Sequence, residues 1–149
     1  FTVYGPWGRP DMAYWMFSKN ALTGEPLKLF NQGQMKRDFS YIDDVVSRLV
    51  KIVTQPARFP DLATPHQIFN IGSGRAKPLA DLIEIIKNLT QKEIRTELWP
   101  MQIGDVEETC ADLSRYEAAY GPVKAYTPLK EGMAEFMDWL RSDPEFIKL

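Results

Sequence analysis

An α/β fold follows from three observations on this 149-residue sequence. Segments of strand character alternate with segments of helical period along the chain, each helical segment carries one apolar face, and Gly and Pro punctuate the joins. With 44% apolar and 12% aromatic residues the chain can bury one real core. We read one domain, or the smaller share of a two-lobed protein. The sequence opens without Met on the apolar run Phe1-Thr2-Val3-Tyr4, so it is expected to be the later part of a longer protein.

The elements follow in order. Phe1 to Tyr4 reads as a strand entering the turn Gly5-Pro6-Trp7-Gly8. Residues 11–22 place Met12, Trp15, Met16, Phe17 and Ala21 on one helical face, closed by Thr23-Gly24. Leu27 to Phe30 is a short strand ended by Asn31-Gln32-Gly33. Residues 36–41 are extended and lead into a helix from Ile42 to about Thr54, where Asp43 and Asp44 suit the free amides of its first turn. Three prolines make 55–65 a loop. Residues 67–71 are β-branched and aromatic and read as a strand, and 79–89 as a helix with Leu79, Leu82, Ile83, Ile86 and Leu89 on one side. Residues 93–99 alternate as a strand, and 112–120 form a helix stopped by Gly121-Pro122. The last helix, 129–140, turns Met133, Phe136, Met137 and Leu140 inward, with Thr127 as its cap before Pro128. The sum is a small mixed sheet with about five helices, without internal repeats or low-complexity tracts.

Composition excludes several function classes. A net charge of −2 and scattered Lys and Arg give no footprint for nucleic acid or an anionic membrane. No run approaches the ~18 apolar residues of a membrane span. A single cysteine, Cys110, forms no internal disulfide, reads as a small buried side chain, and suits a reducing, cytoplasmic compartment. His66 is the only histidine and stands in the Pro-rich region as a surface residue, which leaves no histidine-based triad or metal site.

Two motifs fail on inspection. Gly72-Ser73-Gly74-Arg75-Ala76-Lys77 has a dinucleotide-like setting but lacks the third glycine, with Lys77-Pro78 where a small residue is needed. It reads as a plain tight turn. Tyr120 and Lys124 have the Tyr-x-x-x-Lys spacing that sets a base and its lysine one helical turn apart, but Gly121 and Pro122 break that turn.

What remains is a set of polar groups at turns and extended segments: Thr2, Arg9, Asp11, Lys36, Arg37, Asp38, Gln102 and Asp105. A guanidinium in such a place suits phosphate or carboxylate through its fixed fork of donors, and an acid beside it suits sugar hydroxyls. Taken alone, Arg37 and Asp38 read equally as a solvated pair, and Asp105 as a turn residue.

Four ordered stretches resemble the extended short-chain dehydrogenases: VYGPWGRPDMA at 3–13, MKRDFSYIDD at 35–44, IFNIG at 68–72 and MQIGDVEETCAD at 101–112. They are most similar to the NAD-dependent UDP-glucuronate 4-epimerases, through Gly8-Arg9-Pro10-Asp11-Met12-Ala13 in particular. The resemblance implies the C-terminal, substrate-binding portion of such an enzyme over 1–149, with the Rossmann core largely missing. Residues 1–22 would then be the last strand-turn-helix given to the missing NAD-binding domain. It implies that Thr2 and Arg9 hold the sugar carboxylate, Arg37 the diphosphate and Asp105 the ribose. Leu29 and Phe30 border the uracil, and Phe1 lies at the nicotinamide edge. Gln102 stands where UDP-galactose epimerases carry an arginine, a departure that leaves Arg37 more of the diphosphate charge. The catalytic Tyr and Lys and the Gly-rich NAD turn would precede Phe1, so this chain holds no catalytic residue and is expected to be inactive alone. The implied partners are a UDP-sugar and NAD, with a homodimer for the full-length protein. The alternatives are another UDP-sugar dehydratase or decarboxylase of the family, and a stand-alone, non-catalytic sugar-nucleotide-binding module.

Overall fold

A computed structural model describes residues 1–55, 66–123 and 126–148. The chain runs β1 (Thr2–Tyr4), α1 (Ala13–Thr23), β2 (Leu27–Leu29), a 3-10 turn (Phe30–Gly33), β3 (Lys36–Tyr41), α2 (Ile42–Thr54), β4 (Ala76–Pro78), α3 (Leu79–Thr90), β5 (Thr96–Leu98), α4 (Ser114–Tyr120), α5 (Leu129–Ser142) and α6 (Pro144–Lys148). The α/β class stands, with two small sheets in place of one. β3 pairs parallel to β1 through Phe39–Tyr41 and antiparallel to β4 through Lys36–Asp38, while β2 and β5 form a separate parallel pair.

The helices obey their apolar period. Met133, Phe136, Met137 and Leu140 of α5 are fully buried, as are Leu82 and Ile86 of α3, against Tyr4, Tyr14 and Trp15. α1 ends at Gly24, whose left-handed backbone (φ 85°) lets its N–H reach the Asn20 carbonyl at 2.8 Å. Gly132 lets α5 close on the sheet, because a Cβ there would lie 2.4 Å from the Tyr4 hydroxyl and 2.7 Å from Cδ2 of Tyr41. α2 differs from the others: Val46, Leu49, Val50 and Val53, spaced three and four apart, all face outward, and Val53 is 84% exposed.

The structure corrects several expectations. Residues 67–71 form no strand; Phe69 packs edge-on against Tyr120 and Asn70 donates to the Asp112 carbonyl, so strand-forming side chains serve α4 instead of a ladder. β4 and α6 were not foreseen. β5 is shorter than 93–99 and lies exposed on both faces. Thr127 does not cap α5: its amide and hydroxyl donate to Asp44, tying the lead-in of α5 to the first turn of α2. Cys110 is exposed, not buried. His66 is exposed as expected. The expected loop beyond Gln55 and the residue Lys124 lie outside the described residues, but α4 does stop at Tyr120, with Gly121 at φ 86°. Among the described residues no helix is long and apolar enough to cross a membrane, and no group of metal ligands gathers.

Candidate functional site

Where β1, α1, β2 and β3 meet, the fold leaves a cleft of about 250 Å³. Its floor is apolar and buried, made by Phe17, Met35, Phe39 and Leu79. Its polar rim carries Thr2, Asp11, Lys28, Arg37, Gln102 and Asp105, with Phe30 and Met16 on the walls. Segments more than a hundred residues apart are thus joined in one concave, mostly apolar hollow with a few convergent polar groups, the usual anatomy of a small-molecule site. Of two larger hollows among the described residues, that of about 510 Å³ beside α3 has only Lys130 as a cation beside two acids, and that of about 410 Å³ beside the Gly74 turn is mostly polar.

Each polar group is positioned by its element. Arg37, at the exposed start of β3, donates through Nη1 to the carbonyls of Lys36 at 2.8 Å and Glu107 at 3.3 Å. Its Nη2 stands 4.0 Å from Oδ1 of Asp105. The guanidinium is therefore pre-oriented by neutral carbonyls that leave most of its charge available to a ligand. Asp105 sits in a turn closed by its amide to the Gln102 carbonyl, which places both residues on the rim. Residues 107–109 run beside β3, with Lys36 N–H to the Glu107 carbonyl and Thr109 N–H to the Lys36 carbonyl, and so hold that turn against Arg37.

Asp38 is the anchor beneath this rim, and the structure overturns its reading as a solvated partner of Arg37. Its side chain is fully buried and accepts the amides of Ser73 (2.7 Å), Gly74 (2.9 Å) and Ala111 (2.9 Å), together with the Ser40 hydroxyl (3.1 Å). Burial alone would raise its pKa, but the donated hydrogen bonds from Ala111, Ser73 and Gly74 outweigh burial and hold the carboxyl below its ordinary value. The same bonds settle the chemistry of the Gly72-Ser73-Gly74 turn. Its amides are spent on Asp38, and a Cβ at Gly72 would come within 2.4 Å of the Ala111 Cβ. The turn packs closely against Asp38 of β3 and Ala111 and makes no cradle for a dinucleotide phosphate.

Of the sequence-derived candidates, the cleft brings together Thr2, Phe30, Arg37, Gln102 and Asp105. Leu29 stays apart: on β2 the alternation turns Leu27 and Leu29 into the core and Lys28 outward. Arg9 stands outside the lining, 75% exposed, in a two-point ion pair with Asp11, whose carboxyl its hydrogen bond holds below the usual range. Phe1 is half exposed beside Thr2. Sequence reasoning missed Lys28 and Met16. The β2 alternation signalled the first, and the α1 period wrongly assigned the second to the core, where it is 42% exposed and lines the cleft. Tyr14, buried in α1, has its hydroxyl pKa pushed up to about 12 by burial and then by Asp11, so it stays neutral.

Known proteins share this fold. A family model described as the NAD dependent epimerase/dehydratase family matches residues 1–72. A probable UDP-glucuronate 4-epimerase of Rhizobium meliloti is 36% identical over 93% of this chain and 44% of its own length, and UDP-glucuronate 4-epimerase 2 of Arabidopsis thaliana is 34% identical over 93% and 34%. The chain thus spans less than half the length of these curated relatives. Among solved structures, UDP-glucuronic acid 4-epimerase from Bacillus cereus, in complex with UDP-glucuronic acid and NAD, superposes with a TM-score of 0.81 at 28% identity, covering 95% of this chain and 43% of that one. MoeE5, in complex with UDP-glucuronic acid and NAD, gives 0.83 at 33%, covering 95% and 45%. Motif order and fold agree with these matches, and the chain is UDP-glucuronate 4-epimerase-like, similar to the C-terminal part of such proteins.

Proposed function

We propose that this chain is the substrate-binding part of an enzyme that interconverts UDP-glucuronate and UDP-galacturonate by NAD-dependent oxidation and reduction at C4 of the sugar. The observation that carries the reading is the cleft itself, in which a hydroxyl, a pre-oriented arginine, an amide and an acid converge over an apolar floor. In this assignment Arg37 meets the diphosphate, Asp105 the ribose hydroxyls, Phe30 one edge of the uracil, and Thr2 the sugar carboxylate. Arg9 joins Thr2 by leaving Asp11, which an exposed ion pair permits at small cost. Leu29 supports the uracil edge from the core side, and Gln102 contributes a neutral contact. The reacting groups and the NAD cradle belong to a half of the protein that precedes this chain, and Phe1 reaches the nicotinamide edge. The Gly72–Gly74 turn does not suit a dinucleotide, so no step of the chemistry is routed through it.

The domain reading follows the same logic. β1, α1 and the turn between them, with the outward stripe of α2, belong against the NAD-binding half, which would cover Val46, Leu49, Val50 and Val53. By itself the chain binds and orients but does not turn over. The full-length partner set is UDP-sugar, NAD and a second copy of the protein.

Full-length enzyme carrying Arg9→Ala tests the carboxylate assignment. We expect turnover of UDP-glucuronate to fall by about 100-fold or more, as loss of a charge-assisted contact implies, while UDP affinity stays within about twofold. Unchanged turnover rejects the role of Arg9. The product's mass separates the family's chemistries, since epimerisation conserves it and decarboxylation loses carbon dioxide.

A further inference from the structure

Lys28 is the charge in the cleft that its own surroundings leave uncommitted. Of the other charged groups on the rim, Asp11 is held by Arg9, and Asp105 faces Arg37 at 4.0 Å. No carboxylate among the described residues forms an ion pair with Lys28. Its cross-strand neighbour Glu97 is turned instead to the indole N–H of Trp99, which it accepts at 3.4 Å. The Lys28 ammonium rests on the face of that same Trp99, with Nζ 5.1 Å from the ring centroid, and Trp99 in turn packs against Phe30 of the cleft wall.

A cation parked on an exposed aromatic face is weakly held and leaves readily for a formal anion, whose charge-assisted hydrogen bond is the stronger contact. Arg37 cannot supply all of the positive charge a diphosphate requires, since Asp105 already offsets part of it and carbonyls occupy two of its N–H directions. Lys28 has a flexible stem, lines the same hollow and has no competing carboxylate partner among the described residues.

Resting on the reading of the cleft as a nucleotide-sugar site, we infer that Lys28 is a second phosphate-positioning residue, which swings from Trp99 to the ligand's diphosphate and completes with Arg37 a two-cation clamp. The consequence for specificity is that the cleft prefers nucleoside diphosphates over nucleosides by more than Arg37 alone provides.

The test is calorimetric titration of the chain with UDP and, separately, with uridine, for the unsubstituted protein and for Lys28→Gln, Lys28→Arg and Trp99→Phe. We expect Lys28→Gln to weaken UDP by about tenfold and uridine by less than about twofold, and Lys28→Arg to restore UDP binding to within about threefold. The indole fluorescence change on adding UDP should vanish in Trp99→Phe while UDP affinity holds, because the ring is a resting place and not a contact. Equal losses for UDP and uridine in Lys28→Gln, or no loss for either, overturn the role of Lys28 while leaving the cleft as the nucleotide site. Failure of the unsubstituted chain to bind either probe overturns the nucleotide reading, and the role of Lys28 falls with it.

Discussion

Replacing Asp38 by Asn removes one formal charge and almost no volume, yet it should be among the most damaging single changes in the molecule. Oδ1 accepts from the Ser73 amide and the Ser40 hydroxyl, and Oδ2 from the amides of Gly74 and Ala111. An asparagine can keep one of these pairs with its carbonyl, but its NH₂ must then face the other pair, donor against donor. If the Gly74 and Ala111 amides are orphaned, each costs about 1–3 kcal/mol, so the total loss is about 2–6 kcal/mol. That is a large share of the ~5–15 kcal/mol by which a domain is stable. The assay is urea unfolding followed by tryptophan fluorescence, with hydrogen exchange at Ser73, Gly74 and Ala111 as the local readout. The midpoint should drop at constant denaturant slope, and those three amides should lose protection first. The pH dependence has a definite sign. The folded carboxyl titrates below its ordinary value, so its contribution is complete above the unfolded carboxylate range near ~4 and is lost as pH falls through the lower folded value. Asp38→Asn should therefore flatten the acid limb of the stability curve. A variant within about 1 kcal/mol of the parent, with unchanged protection at the three amides, would refute the anchoring argument.

Two further changes probe other contacts. Gly132→Ala places a methyl in the path of the Tyr4 hydroxyl and the Tyr41 ring, and should cost about 1–3 kcal/mol in thermal unfolding with little change in helix content, since alanine favours the helix itself. The paired substitution Val50→Lys with Val53→Glu should abolish self-association of the chain at high concentration, read by sedimentation, while leaving its unfolding midpoint nearly unchanged; a monomeric parent would remove the reason for the experiment and the argument behind it.

Helix content was open to the sequence because helical period is a local property. The four residues of α5 chosen for their spacing are all fully buried, and Asp43 and Asp44 lie in the first turn of α2 as their charge requires. The strands were less legible. β4 is Ala-Lys-Pro, which carries no alternation and ends in a proline, and it exists because β3 offers an edge across forty residues of chain. Residues 67–71 show the converse, a strand composition whose side chains pack toward the α4 region and enter no ladder among the described residues. Asp38 was hidden for the same reason: next to Lys36 and Arg37 it looks like surface, and its burial depends on amides 35 to 73 residues away. The site was legible where the sequence resembles its family and where a polar residue stands at a strand end. At Lys28 it was signalled only by the β2 alternation, because the uncommitted charge there depends on which neighbours the fold brings alongside.

The parallel pairing of β2 with β5 has a consequence for how the chain acquires its site. Leu27 meets Thr96 and Leu29 meets Leu98, so the wall carrying Lys28 and Phe30 and the turn carrying Gln102 and Asp105 come together only after some seventy residues of chain have been closed into a loop. Thr2 on β1 lengthens the required closure to the span from the first strand to Asp105. Contacts so distant in sequence form late and slowly, and a partly folded chain presents scattered arginine, lysine and aspartate but no pocket. Any molecule that binds the cleft must therefore draw the whole folding equilibrium toward the native state, by RT ln(1 + [L]/Kd). A shift of the melting temperature on adding UDP would then count assembled molecules, and the ligand itself would act as a late folding partner for the chain that binds it.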